Sequence, residues 1–379
     1  MHLFYWLSII IVWHRRQYRH VRNTLVNDLK SVVWRWFQQG AIPEKSLSQA
    51  LSLVSVATEN EPDSTQWRTL NELLLTWGAA LLLGSGLIFF IAANWQSMSS
   101  VARFALVESA LVLALALYLV LRMWAIKRGD PLGFGYTSAN AVLFATSVII
   151  GSLLALLGQT YQTGADPWQL FALWALFIVP IALVAGSELL WLLLGLLVNL
   201  AVVLYYQTFP GLFGRLFLFD LALEALFLLN LLLHFSFLLL SGKLGALAYI
   251  PSYRPQRFAA PLLQHITITI AVFCITLLVI EAIFDGDALV WLGGYLGFIT
   301  AGALLYNLIL KQIFVLAIGG FSLVAVTNSL LLRLVLEGQD PVGMLLVLGL
   351  TIIGSTSLLS LWLKQRQQAF QLDRGHDVA

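Results

Sequence analysis

An all-α polytopic membrane fold of about ten transmembrane helices, preceded by a small N-terminal cytosolic helical hairpin, is predicted by three observations. Hydrophobic residues make up 60% of the chain and charged residues 11%, against about 25% charged in an ordinary soluble domain. From Leu73 onward, apolar stretches of about 18 or more residues recur, each long enough as a helix to cross a hydrocarbon layer of about 30 Å. Basic residues gather at alternate connections, which orients the chain with both termini inside. Backbone in lipid must satisfy its own hydrogen bonds, so the spans are helices; the alternation of a membrane β-barrel is absent.

Residues 1–22 join "MHLFYWLSIIIVW" to "HRRQYRH". The apolar run falls short of the ~17 residues needed to span, and no small-residue cleavage site follows it. It reads as a basic interfacial anchor, with Trp6 and Trp13 in the headgroup layer and Arg15, Arg16, Arg19 and Arg22 toward anionic lipid. A misassigned start accounts for it equally well. Residues 23–72 hold a cytosolic helical hairpin and an acidic linker. Gly40 suits the left-handed end of one short helix and Pro43 the first turn of the next, where Leu47, Ala50, Leu51 and Val54 share a face. "ATENEPDSTQ", Ala57 to Gln66, is the linker. The basic residues from Arg15 to Arg35 fit an acidic inner leaflet better than a nucleic acid, because no helix with base-reading side chains stands out.

The membrane domain, residues 73–363, is expected to hold ten spans: Leu73 to Ala93, Val101 to Trp124, Thr137 to Gly158, Gln169 to Gly186, Leu189 to Tyr206, Leu216 to Leu240, His265 to Phe284, Leu289 to Leu310, Ile313 to Leu332 and Val342 to Leu363. Residues 364–379 form a cytosolic tail. The inner connections then receive Arg122, Lys127, Arg128, Lys243, Arg254, Arg257, Lys311, Lys364, Arg366 and Arg374. The outer ends receive only Arg103, Arg215 and Arg333, an asymmetry that supports an even number of spans.

Between the third and fourth spans, "LLGQTYQTGADPWQLFALW" interrupts the apolar pattern. Asp166 suits a helix N-cap, Pro167 the first helical position, and Gln169 the return arm of a capping box. The Asp-Pro pair recurs at Asp130-Pro131 and Asp340-Pro341 as punctuation before apolar spans. Tyr161, Trp168 and Trp174 suit a membrane interface. The alternative is an outward ligand site built from Gln159, Tyr161, Gln162 and Asp166.

The first span with its Ala-Ala-Asn-Trp end, in "WGAALLLGSGLIFFIAANWQSMSSVARFALVESALVLALALYLV", the stretch "GQTYQTGADPWQLFALWALFIVPIAL" and the hairpin "FQQGAIPEKSLSQAL" together resemble bacterial membrane proteins of the domain of unknown function 2157 family. The resemblance covers roughly Val33 to Tyr206. It implies a multi-pass protein of the bacterial inner membrane and carries no activity onto any residue.

Ionisable groups at membrane depth cost about 2.5–3.5 kcal/mol on insertion scales, so each is a functional candidate. Glu108, Asp220, Glu224, His234 and Glu281 qualify. At about 100° per residue, Asp220, Glu224, Asn230 and His234 form one stripe on the sixth span, expected to face other helices or a water-filled cavity. Glu108 and Glu224 lie at similar depth, roughly 10–12 Å inside, where two carboxylates could share a proton or hold a cation. Asn94, Asn199 and Asn328 could add amide oxygens. The favoured reading of these groups is interhelical glue, with hydrogen bonds averaging about 0.6 kcal/mol. Gly84 with Gly86, Gly293 with Gly297, and Gly349 with Gly354 suggest close helix approach.

Catalytic signatures are missing: there is no HExxH, GxSxG or GxxxxGK[ST]. His234 and Asp220 stand about 20 Å apart along one helix and cannot act on one atom. The single cysteine, Cys274, excludes an internal disulfide, a CxxC pair and a thiolate zinc cluster. No enzyme, cofactor or metal is expected. The leading expectation is a small-solute or lipid-related secondary transporter with Glu108 and Glu224 as the coupling site. The alternative is a non-transporting scaffold or sensor whose hairpin recruits a cytosolic or membrane protein partner. Five-plus-five spans would give inverted halves as in many carriers, although no sequence echo links them.

Overall fold

The computed structural model of the 379-residue chain describes residues 32–38, 43, 46–47, 64–128, 134–162, 164–208, 222–243, 258–285, 288–337 and 341–376. The basic segment 1–22, Asp130-Pro131 and Asp220 lie outside the described residues, as does most of the hairpin and linker. Among the described residues there is no strand.

Among the described residues ten long helices follow one another: α1 Ser64–Ala93, α2 Ser100–Lys127, α3 Phe134–Tyr161, α4 Pro167–Ala185, α5 Glu188–Thr208, α6 Ala222–Leu240, α7 Pro261–Asp285, α8 Ala288–Leu304, α9 Ile313–Glu337 and α10 Pro341–His376. Each overlaps one of the ten expected spans, α8 together with the helical turn that follows it, and is apolar enough over that stretch to cross a membrane. The chain is a polytopic membrane protein.

The chain forms two compact units, residues 1–76 and 77–379. In the first, residues 32–38 and 46–47 are helical, and Ser46 N–H donates to Pro43 O at 2.9 Å, in keeping with a turn opening at the proline. Val33 is buried, whereas Trp34 and Trp36 are exposed.

In the second unit α3 and α7 are the most buried spans. α3 packs against α2 and α4, and against α1 through Trp77 edge-on to Phe144 at 5.8 Å. α7 packs against α5, α6, α8 and α9. Burial along these two helices is far higher than along α2 or α10, whose exposed leucines are at home in hydrocarbon. If the spans divide five and five, one hub is third in its half and the other second. The expected inverted halves are therefore not reflected in the packing.

Local chemistry explains where helices start and stop. Ser99 caps α2 by accepting from Ala102 N–H at 3.2 Å. At its two ends Arg103 lies over the Trp95 ring at 3.6 Å and Arg128 over Trp124 at 3.8 Å, which places both cations on aromatic faces rather than in lipid. Asp166 has the extended backbone of an N-cap and Pro167 follows it, but the carboxylate makes no capping bond. The expected capping box is thus corrected: backbone geometry and proline open α4, and Gln169 contributes its N–H to Asp166 O at 3.0 Å. Gly164, with φ +65°, makes the turn before it. α4 ends at Gly186, left-handed at φ 58°, whose N–H returns to Ala182 O, a glycine stop of the usual kind. α7 is capped from a distance: Glu188 Oε1, at the start of α5, accepts Leu262 N–H at 2.5 Å, putting a carboxylate on the positive end of the α7 dipole.

Two ends differ from expectation. α8 finishes in a π-helical turn, Leu305–Ile309, where Leu310 N–H reaches back five residues to Leu305 O at 3.0 Å. Lys311 then takes φ +48° before α9 starts. α10 does not stop at Leu363 but continues to His376, because Phe370 is buried in a cluster with Ile268, Tyr306, Val315 and Leu316. The residues read as a tail are largely a helical extension. Close helix approach occurs at Gly84, where an added Cβ would meet Val148 at 3.1 Å, but not at Gly86, Gly293, Gly297, Gly349 or Gly354, which face open space.

Candidate functional site

The stripe read on α6 is polar chemistry turned inward. Asn230 and His234 are both buried, at 0% and 1% exposure, four residues apart on one face. Asn230 Nδ2 donates to Asn199 Oδ1 of α5 at 2.6 Å, and Asn199 Nδ2 returns a bond at 3.3 Å. Each amide also donates to a carbonyl of its own helix, Asn230 to Leu226 O and Asn199 to Gly195 O.

His234 joins three elements. Nδ1 lies 2.8 Å from Gln264 O, in the first turn of α7, and Nε2 faces the Tyr306 hydroxyl in the π-helical turn. A carbonyl oxygen only accepts, so Nδ1 carries the proton; neutral Nε2 then accepts, and Tyr306 donates. Gln264 extends the chain of bonds, donating to Phe237 O at 3.2 Å and Ser241 Oγ at 3.3 Å and accepting from Lys243 Nζ at 2.7 Å. Turning in toward Gln264 strips water from the Lys243 ammonium and holds its pKa below the ordinary lysine value. The result is a continuous polar ladder from Lys243, at the end of the bundle, to Tyr306.

Tyr306 also lines a partly open cavity of about 770 Å³ among α6 to α10, a volume typical of small-molecule sites. Its walls are almost wholly apolar, from Phe235, Ile268, Phe298, Leu316, Leu358 and Trp362 among others; Gly302 and Gly319 leave the space open, while Gly320 lets Leu359 pack close. The lining of α9 runs from Val315 to Thr327, about 18 Å along the axis. That is close to half of a hydrocarbon layer of about 30 Å. Elsewhere in the same half, Thr276, Ser322 and Tyr295 join α7, α9 and α8 through bonds of 2.6 and 2.7 Å. Asn328 bonds Thr351 and Ser355 between α9 and α10. A second apolar cavity of about 490 Å³ lies among α4 to α7, with Trp168 and Tyr205 in its wall.

The remaining sequence candidates are dispersed. Glu108 is exposed on α2, which packs mainly on α3. Glu224 is half-buried at the start of α6, which packs on α7 and α5, and lies within electrostatic reach of Tyr206. These two helices are not packing partners, so the expected two-carboxylate site is not brought together. Glu281 is exposed on α7. At the proposed outward site, Gln159, Tyr161 and Gln162 are exposed and Asp166 half-buried. Of these four, only Tyr161 has a ring contact, with Phe104. Among the described residues no three His, Cys, Asp or Glu side chains gather in a way that could hold a metal. Sequence reasoning missed Tyr306, Gln264 and Lys243. Lys243 was visible as a charge at a helix end, whereas nothing in "GALLYNLIL" signals that a π-helical turn aims its tyrosine at α6.

Residues 34–191 match a family model described as predicted membrane protein (DUF2157). The resemblance expected from the first half of the chain is borne out there. The large cavity and the His234 ladder lie beyond the matched stretch. No curated protein and no solved structure matches the chain.

Proposed function

We propose that this protein is a carrier or holder of a lipid-related molecule in the bacterial cytoplasmic membrane, with both termini in the cytosol and no catalytic step. The observation that carries this reading is the apolar chamber among α6 to α10, about one leaflet deep, with Tyr306 in its wall. A small polar solute would find few partners there, while a hydrocarbon chain would lose nothing by entering. The orientation is supported by Lys127, Arg128, Lys243, Lys311, Lys364 and Arg366 at one set of helix ends and Arg103 and Arg333 at the other.

The test is native mass spectrometry of the full chain extracted in mild detergent, together with transbilayer movement of a fluorescent phospholipid in proteoliposomes. Wild type retains lipid and speeds its movement. Gly302→Leu, at a position where an added Cβ meets nothing within 4 Å, fills the chamber and lowers both. Glu108→Gln with Glu224→Gln leaves both unchanged; loss of lipid handling there, with normal expression, would return the function to the carboxylates. A scaffold or sensor role is the second reading, favoured by the exposed Trp34 and Trp36 on the helical segment 32–38, an aromatic pair suited to a protein partner or a headgroup layer.

A further inference from the structure

The chamber has a polar neighbour at one end. A pocket of about 280 Å³ is lined by His265, Lys311, Gln312, Ile313, Phe314, Gln367, Phe370 and Gln371. The two spaces have no lining residue in common and adjoin across one packed cluster, to which Phe370 of the polar pocket and Tyr306, Val315, Leu316 and Trp362 of the chamber all belong. The polar residues stand where the spans end: His265 near the start of α7, Lys311 and Gln312 just before α9, and Gln367 and Gln371 on the extension of α10. Around that end lie Lys243, Lys364 and Arg366, with Glu188 committed to the α7 N-terminus.

We infer that these two spaces form one site for an anionic lipid, its phosphate held at Lys311 with His265 and the glutamine amides as donors, and one acyl chain running down the chamber to Thr327. This deepens the proposed function and rests on its reading of the chamber. Three features fit a lipid better than other occupants. The polar pocket sits at the membrane boundary, while the apolar space runs inward from it for about 18 Å, about the depth of one leaflet. Among the described residues around the mouth, Lys243, Lys311, Lys364 and Arg366 outnumber Glu188, a balance that complements a phosphate. The left-handed turn at Lys311, φ +48°, and the π-helical turn before it bring the lysine and Tyr306 to the two ends of this transition.

The experiment uses the full-length chain, delipidated in detergent, with retention read by native mass spectrometry. The probes are phosphatidylglycerol, phosphatidylcholine with the same acyl chains, diacylglycerol and inorganic phosphate. Wild type is expected to prefer phosphatidylglycerol to phosphatidylcholine by about tenfold, the scale of one charged hydrogen bond. Lys311→Gln removes that preference and leaves diacylglycerol binding unchanged. Gly302→Leu, or Gly319→Val should the first fail to fold, lowers retention of all three lipids. Equal retention of the two phospholipids, unaffected by Lys311→Gln, overturns the headgroup assignment while the chamber reading stands if Gly302→Leu still acts. Retention untouched by either chamber variant overturns both. Inorganic phosphate that binds Lys311-dependently and as tightly as the lipid overturns the lipid assignment in favour of a free-anion site.

Discussion

Asn199 and Asn230 form a reciprocal amide pair between α5 and α6, and a buried amide without its partner costs more than one never placed there. Asn230→Leu alone should lower thermal stability in detergent by about 1–2 kcal/mol. The double variant with Asn199→Leu should recover most of it, and equal loss in both would show that the pair contributes through shape alone. Gly151 is the tightest helix approach in the first half: an added Cβ would lie 2.3 Å from the Trp174 ring, whose Nε1 donates to Ser147 O at 2.8 Å. Gly151→Ala is expected to cost about 1–3 kcal/mol through overpacking, whereas Gly158→Ala, with nothing within 4 Å, should hardly move the melting temperature. The buried face of α6 was legible because period 3.6 aligns Asn230 with His234. Their partners were not, since nothing in a single span says which neighbour it meets. For the same reason Gly84 and Gly86 look alike in sequence, yet only the first touches another helix.

Hydropathy and length settle where each helix crosses, which is why ten expected spans fall on ten helices. They are silent on what happens beyond lipid. The α10 extension illustrates this: "KQRQQAF" reads as a polar tail, but Phe370 at 7% exposure ties it to the α7–α9 cluster. Phe370→Ala should therefore cost about 3 kcal/mol, as for a core aromatic, and make the residues after Leu363 sensitive to limited proteolysis; unchanged cleavage would show that the extension is not held. The π-helical turn is likewise invisible in composition, because it is one additional residue in a helix rather than a kind of residue. Deleting Asn307 should restore an ordinary helix and rotate the preceding turn by about 100° relative to α9. Tyr306 would leave His234, lowering both stability and lipid retention while the ten spans remain.

At the scale of the molecule, the prediction concerns threading. Reporter fusions at Thr163 and Ser252 should signal from opposite faces, with the Ser252 fusion on the cytosolic side; a common compartment would break the proposed orientation. The chain has two packing hubs, α3 and α7, and the family match ends near Trp191, ahead of the larger cavity. The first hub gathers α1, α2 and α4, and the second gathers α5, α6, α8 and α9. The carboxylate of Glu188, seated on the opening turn of α7, also carries a temporal meaning. A ribosome delivers α5 two spans ahead of α7, so the acceptor for those emerging amide hydrogens is waiting at the bilayer edge when they arrive. The order of synthesis is thereby the order in which this bundle can be built.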